Sequence, residues 1–238
     1  MTQIKKAMIL AAGRGERLRP LTDTTPKPML PVGGRPVLDY ALTYLKSQGI
    51  EEVVINLWHL GEKIKQHVRQ GHTYGLKVHY STETVLLDSG GGLKNAQKYF
   101  EGEEVFCLMN GVILIDCSLQ EVLKTHQQKK AASTLVLMER SSKDPHTPVG
   151  VRNGEVISFG GEGNYFYTGL SLFGPEIFSH LPEGKPCGLV QEGWNSMIQK
   201  QQTVAAHIHH GSWKKIFDKQ SYQELQEEWA SQHFNQRF

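Results

Sequence analysis

Apolar and polar positions along this chain switch repeatedly between two periods. KAMILAAG (Lys6 to Gly13) is a continuous apolar run closed by glycine, the pattern of a buried strand entering a turn. In PVLDYALTYLKSQG, apolar residues recur at Val37, Leu38, Ala41, Leu42 and Leu45, which predicts a helix that stops at Gly49. EEVVINL reads as a strand, GEKIKQHVRQG as a helix ending at Gly71, LKVHYST as a strand, and GGGLKNAQKYF as a helix opened by glycines. EVFCLMNG is a further strand. SLQEVLKTHQQKK is a helix with Ser118 as N-cap and Glu121 three residues on, a capping box. ASTLVLME returns to strand periodicity.

Strands alternating with helices of about 10–15 residues imply βαβ units and a mostly parallel sheet, hence an α/β fold. Such sheets take ligands at the carboxyl ends of their strands, where the first glycine-rich stretch lies. The second half is less regular. VGVRNGEVISF predicts a hairpin turning at Asn153-Gly154. YFYTGLSLFG reads as a strand, PEIFSHL as a short helix begun by Pro175, VQEGWNSMIQKQ as a helix, and TVAAHIHHGSW as one extended segment. From Lys219 a helix is expected to bury Tyr222, Leu225 and Trp229. With no repeat and no low-complexity linker, residues 1–238 are expected to form a single domain.

Composition narrows the functions available. The chain has 238 residues, 39% of them apolar, enough for a core. A formal charge of +2 argues against a general nucleic-acid surface and leaves room for a local basic pocket. Cys107, Cys117 and Cys187 are widely separated, so neither a zinc site nor a disulfide framework is expected, and a reduced, cytoplasmic protein is. Lys5 and Lys6 precede an apolar run too short for a secretory leader, and no stretch is long enough to span a bilayer.

The candidate chemistry begins with AAGRGERLRPLT (Ala11 to Thr22). Gly13 and Gly15 let the backbone approach a ligand, with amides able to cradle phosphate oxygens. Arg17 offers a planar fork for phosphate. PKPMLPVGGRP follows, and Pro26 and Pro28 stiffen the backbone around Lys27. Either stretch alone reads equally as a solvated basic loop.

In combination, GRGERLRPLT and PKPMLPVGGRP resemble the signature of the sugar-1-phosphate nucleotidyltransferases, and within that family the compact N-acetylmuramate-1-phosphate uridylyltransferases. The resemblance covers nearly the whole chain. It implies a three-layer α/β/α sandwich around a Rossmann-like mixed sheet. It also implies a reaction in which a nucleoside triphosphate, UTP favoured, and a sugar 1-phosphate give a nucleotide-sugar and pyrophosphate. Arg17 and Lys27 would be the catalytic cations, facing the β/γ- and α-phosphates. Ala11, Ala12, Gly13 and Gly15 would line the nucleotide site. Gly90 and Gly91, in LLDSGGGLKNA, would meet base and ribose. Glu83 and Asp88 lie near the base site and are expected to be solvated or ribose-facing. Asn110, ending FCLMNG, either meets the sugar phosphate or closes a strand. Thr168 and Gly169, in FYTGLSLFGPEIF, would contact the sugar. The implied partners are nucleotide and sugar 1-phosphate or nucleotide-sugar, with no nucleic acid and no membrane; a homodimer is a further expectation.

The family's two Mg²⁺-holding aspartates are missing. N-G-D becomes Asn110-Gly111-Val112, and W-x-D-I-G-T becomes Trp213-Lys214-Lys215-Ile216-Phe217-Asp218. Valine offers no oxygen ligand and lysine repels a cation. Losing roughly 4 kcal/mol of transition-state stabilisation would slow transfer about a thousandfold. No metal ligand is therefore assigned, and Mg²⁺ enters only if Asp116 or Asp218 takes over. Lys215 reads either as an exposed lysine or as a charge standing where the ion would be. His207 and His209 share a strand face but lack a third ligand. Trp194 and Trp229 belong to the core or to a subunit contact. The expectations are an impaired or inactive transferase, or a catalytically silent module that binds nucleotide or nucleotide-sugar.

Overall fold

A computed structural model describes residues 2–141 and 144–230. The expected single domain extends to residue 238, and 231–238 lie outside the described residues. The strands are β1 (Lys6–Leu10), β2 (Pro31–Val32), β3 (Arg35–Pro36), β4 (Glu52–Leu57), β5 (Lys77–Thr82), β6 (Phe106–Asn110), β7 (Ile113–Ile115), β8 (Ser133–Glu139), β9 (Val149–Arg152), β10 (Glu155–Phe159), β11 (Tyr165–Phe173), β12 (Val204–Ile208) and β13 (Trp213–Lys215). The helices are α1 (Leu21–Thr24), α2 (Val37–Ser47), α3 (Gly61–Val68), α4 (Asp88–Asn95), α5 (Leu119–Lys129), α6 (Asn195–Gln199) and α7 (Lys219–Ala230).

One nine-stranded sheet runs in the order β5-β4-β1-β6-β11-β8-β12-β10-β9. The β5-β4-β1-β6 half is parallel, as the alternation requires. Beyond β6 the expected parallel pattern breaks down. β11 runs antiparallel to both β6 and β8, and the β9–β10 hairpin adds an antiparallel edge, so the sheet is mixed. That hairpin turns at Asn153 and Gly154, both at positive φ, which matches a two-residue turn.

The strands alternate side chains between two faces, and helices cover both. Ala7, Ile9, Val53 and Ile55 pack beneath Leu42 of α2, Ile64 of α3 and Val122 of α5. Met8, Val54, Phe106 and Leu108 pack on the other face against Leu93 of α4 and Met197 of α6. Trp194 is buried on this second face, stacked near Phe173 and donating its Nε1–H to Ser133 Oγ at 2.9 Å. The architecture is a three-layer α/β/α sandwich. A third apolar cluster gathers Leu18, Leu30 and Val32 from the N-terminal loops with Leu114, Ile216 and Leu225 of α7. Tyr222 and Trp229 are only partly buried against it.

Local differences from the sequence reading have simple causes. Ser118 caps α5 by accepting from the Glu121 amide at 3.4 Å, but the Glu121 carboxylate pairs with Lys124 at 2.6 Å, leaving the capping box half formed. Helix α4 begins at Asp88, ahead of its glycines. The helix expected in VQEGWNSMIQKQ opens with a wide turn over Leu189–Trp194 before α6. TVAAHIHHGSW is not one strand. β12 stays in the main sheet, while β13 leaves it to pair with β7 in a separate ribbon. No helix among the described residues is long and apolar enough to cross a membrane.

Candidate functional site

Connections from β1 lead first to β4 on one side and later to β6 on the other, which leaves a crevice at the carboxyl end of β1. Leu10 is in register with both Asn56 and Asn110. A cavity of about 600 Å³ opens there, walled by the loop from Leu10 to Arg17 and by Lys27, Asn56, Asn110 and Val112.

The loop is held by its own chemistry. Gly15 sits at φ +66, and a Cβ there would meet Thr22 Cγ2 at 2.9 Å and Lys27 Cβ at 3.1 Å, so only glycine fits. The Thr22 hydroxyl donates to the Gly15 carbonyl at 2.8 Å. The amides of Gly13 and Arg14 have no protein acceptor among the described residues. Ala12, Gly13, Gly15, Arg17, Lys27 and Asn110 all stand on the cavity wall. Ala11 is also on the wall, but its amide is already committed to Asn56 Oδ1 at 2.7 Å.

Several expected ligand contacts are instead structural. Glu83 is not solvated or ribose-facing. It is 5% exposed, accepts from Asn56 Nδ2 at 2.7 Å and from the Leu87 amide at 2.9 Å, and is off the cavity wall. Burial pushes its carboxyl up from the usual range. Gly90 and Gly91 are buried too, and both amides are spent on the Cys187 carbonyl, at 2.8 and 3.1 Å. They serve close packing: a Cβ on Gly91 would meet the Lys185 carbonyl at 2.6 Å. Leu86, Asp88 and Ser89 form that part of the wall in their place.

A second cavity of about 1100 Å³ adjoins the first, with Arg17 and Phe217 lining both. Thr168 and Gly169 do not line it. Thr168 Oγ1 donates to the Val136 carbonyl at 2.8 Å, and the Thr168 carbonyl accepts from Trp213 Nε1 at 2.8 Å. Gly169, at φ +97 where the β11 register shifts, leaves room for Asn110. The wall is made by Tyr167, His146, Trp213 and Lys215 among others. Tyr167 is signalled by its place beside Thr168 in FYTGLSLFGPEIF, and Trp213 heads the segment that carries Lys215.

The two positions without acids converge. Ile216 donates its amide to the Val112 carbonyl at 3.1 Å, and Lys215 is in register with Ile113. The Arg17 guanidinium stacks 4.2 Å from the Phe217 ring centroid. Lys27 Nζ donates to the Phe217 carbonyl at 3.4 Å. Burial, then the nearby charges of Lys215 and Arg17, pull Lys27 down to about 8, against a smaller opposing effect of Asp218. Lys215 is lowered by burial and by Arg17. Among the described residues no carboxylate lies within ion-pair distance of Arg17, Lys27 or Lys215.

These residues do not fit Mg²⁺, which requires oxygen donors. Asp116 lies past the far end of β7 from Val112, accepting from the Ser212 amide and pairing with His209 at 2.9 Å. Asp218 caps α7, accepting from the Ser221 amide and hydroxyl, each at 2.9 Å. Neither replaces the missing carboxylates. His207 is bonded to Thr125, and no group of His, Cys, Asp or Glu among the described residues suits a metal.

Known proteins share this framework. The pattern of the Nucleotidyl transferase family matches residues 6–232. The chain is 35% identical over 219 residues to the N-acetylmuramate alpha-1-phosphate uridylyltransferase of Neisseria meningitidis, covering 89% of this chain and 92% of that one. It is 32% identical over 201 residues to the UTP--glucose-1-phosphate uridylyltransferase of Synechocystis, covering 76% of this chain and only 52% of that one. Among solved structures, HddC from Yersinia pseudotuberculosis superposes with a TM-score of 0.82 at 20% identity, covering 94% of this chain and 99% of that one. UDP-glucose pyrophosphorylase from Acinetobacter baumanii superposes with a TM-score of 0.82 at 17% identity, covering 98% and 95%. By its sequence and its fold, the chain belongs to the sugar-1-phosphate nucleotidyltransferase family.

Proposed function

We propose that the chain binds a nucleoside triphosphate, uridine favoured, in the first cavity and a sugar 1-phosphate in the second, and that metal-assisted transfer between them is severely slowed. Gly13, Gly15, Arg17 and Lys27 grip the phosphates, with Asn110 beside them. Tyr167 and Trp213 face the sugar, held in place by Thr168 and the bulge at Gly169. A cytoplasmic setting and a homodimer go with this reading.

The observation that carries it is the bond from the Ile216 amide to the Val112 carbonyl, 3.1 Å. It pairs Val112 with Ile216, the residue after Lys215, so the two positions where the family resemblance puts carboxylates are near neighbours along the β7–β13 ribbon, while the phosphate-binding loop keeps every element of its signature. The outcome is a site that retains its grip and lacks its metal ligands. Arg17 and Lys27 alone can offset charge developing on the phosphates, but each missing ~1.4 kcal/mol is a factor of ten in rate.

Pyrophosphate release, measured with UTP, CTP and GTP against several sugar 1-phosphates in Mg²⁺ or Mn²⁺, tests this. Release is expected at about a thousandth or less of a typical family rate. Turnover at an ordinary 1–100 s⁻¹ would show that the substitutions leave the chemistry intact.

A further inference from the structure

Successive side chains of β13 point to opposite sides, and its two lysines meet different fates. Lys214 reaches Glu228 on α7 at 2.6 Å. Lys215, half-buried, has no carboxylate partner among the described residues, lies 5.8 Å from the Phe217 ring centroid and lines the second cavity, not the first. Arg17 stacks on the same ring at 4.2 Å, and Lys27 bonds to the carbonyl of the same residue at 3.4 Å. Three cations therefore surround Phe217 where the two cavities join, and Val112 lines the first cavity nearby. Lys27 and Lys215 are half-buried and Arg17 is exposed beside them; like charges gathered at one point are unfavourable unless an anion joins them. A divalent ion brought in with its phosphate would face the same repulsion and find no carboxylate at 112 or 215 to hold it.

Building on the nucleotide-binding reading above, we infer that the junction takes a nucleoside 5′-polyphosphate free of divalent metal, with the Lys215 ammonium, beside Arg17 and Lys27, as the resident counter-charge. A triphosphate and a nucleotide-sugar share this chemistry.

UTP and, separately, UDP-glucose are titrated calorimetrically into the wild type, K215M, K215R and V112D/K215D, once in EDTA and once in excess Mg²⁺. Far-UV circular dichroism checks that each variant is folded. The wild type is expected to bind in EDTA, with Mg²⁺ weakening binding or leaving it unchanged. K215M loses about tenfold or more in EDTA, while K215R keeps most of the affinity because the charge remains. V112D/K215D binds only when Mg²⁺ is supplied. The ligand with the higher affinity identifies triphosphate or nucleotide-sugar as the occupant. Wild-type binding that requires Mg²⁺, or K215M binding in EDTA as tightly as the wild type, overturns the inference and leaves the nucleotide reading standing. If neither ligand binds in either condition, the nucleotide reading falls and this inference falls with it.

Discussion

Asn56 donates its side-chain amide to Glu83 Oε1 at 2.7 Å, and through that pair the two loops at the site are joined. Asn56 Oδ1 accepts from the Ala11 amide, and Glu83 Oε2 accepts from the Leu87 amide. Glu83→Gln cannot satisfy both donors, because one of its oxygens becomes an NH₂. It is expected to cost roughly 1–3 kcal/mol of stability, read as a lower urea midpoint at unchanged slope, and to weaken nucleotide binding.

Lys27 makes the site pH-sensitive. Its folded-state value of about 8 lies below the 10.5 of an unperturbed lysine, chiefly because it is buried and secondarily because Lys215 and Arg17 are close. Below pH 8 the lysine is charged in both folded and unfolded chains, and the folded chain carries the full penalty. Between about 8 and 10.5 the folded state has released a proton that the unfolded state still holds, so ligand-free stability gains from this group as pH rises. Phosphate binding favours the charged form. Nucleotide affinity should therefore fall as pH rises through 8, with proton uptake on binding, measurable by calorimetry in buffers of different ionisation enthalpy. Lys27→Met should abolish the uptake, weaken binding, and stabilise the ligand-free protein by about 1–3 kcal/mol.

Gly15→Ala tests the loop's backbone. The left-handed conformation alone costs an alanine about 1–2 kcal/mol, and the added methyl group presses on Thr22 and Lys27. A lower melting temperature and a weaker nucleotide affinity are expected together, since the loop must move to relieve the contact.

Phe217 holds Arg17 through its ring and divides the two cavities. Phe217→Leu keeps bulk but removes the π face. A loss of about 0.5–1 kcal/mol, a two- to fivefold weaker nucleotide affinity, is the expected calorimetric result.

How much of this was written in the sequence depends on the range of each interaction. Gly15, Ser118 and the Asn153-Gly154 turn were legible because a backbone conformation and its residue preference are local. The parallel half of the sheet was legible from the period of apolar positions. The antiparallel placement of β11 was not, since strand direction is set by how the chain returns, which periodicity does not encode. Glu83, Gly90 and Thr168 carried the right motif, but their hydrogen bonds are spent within the protein, on Asn56, Cys187 and Val136. Arg17 over Phe217 joins opposite ends of the chain and has no local signal. The family pattern named Val112 and Lys215 as a pair about 100 residues apart, and the β7–β13 ribbon makes them near neighbours in space.

Leu225 of α7 packs into one apolar cluster with Leu18 and Leu30, which flank Lys27 in the sequence. The first loops and α7 therefore stiffen as one body. Whatever quiets the first loop must also slow amide exchange in the final helix. By the same reciprocity, a break in α7 loosens the loop that carries Gly13, Gly15 and Arg17.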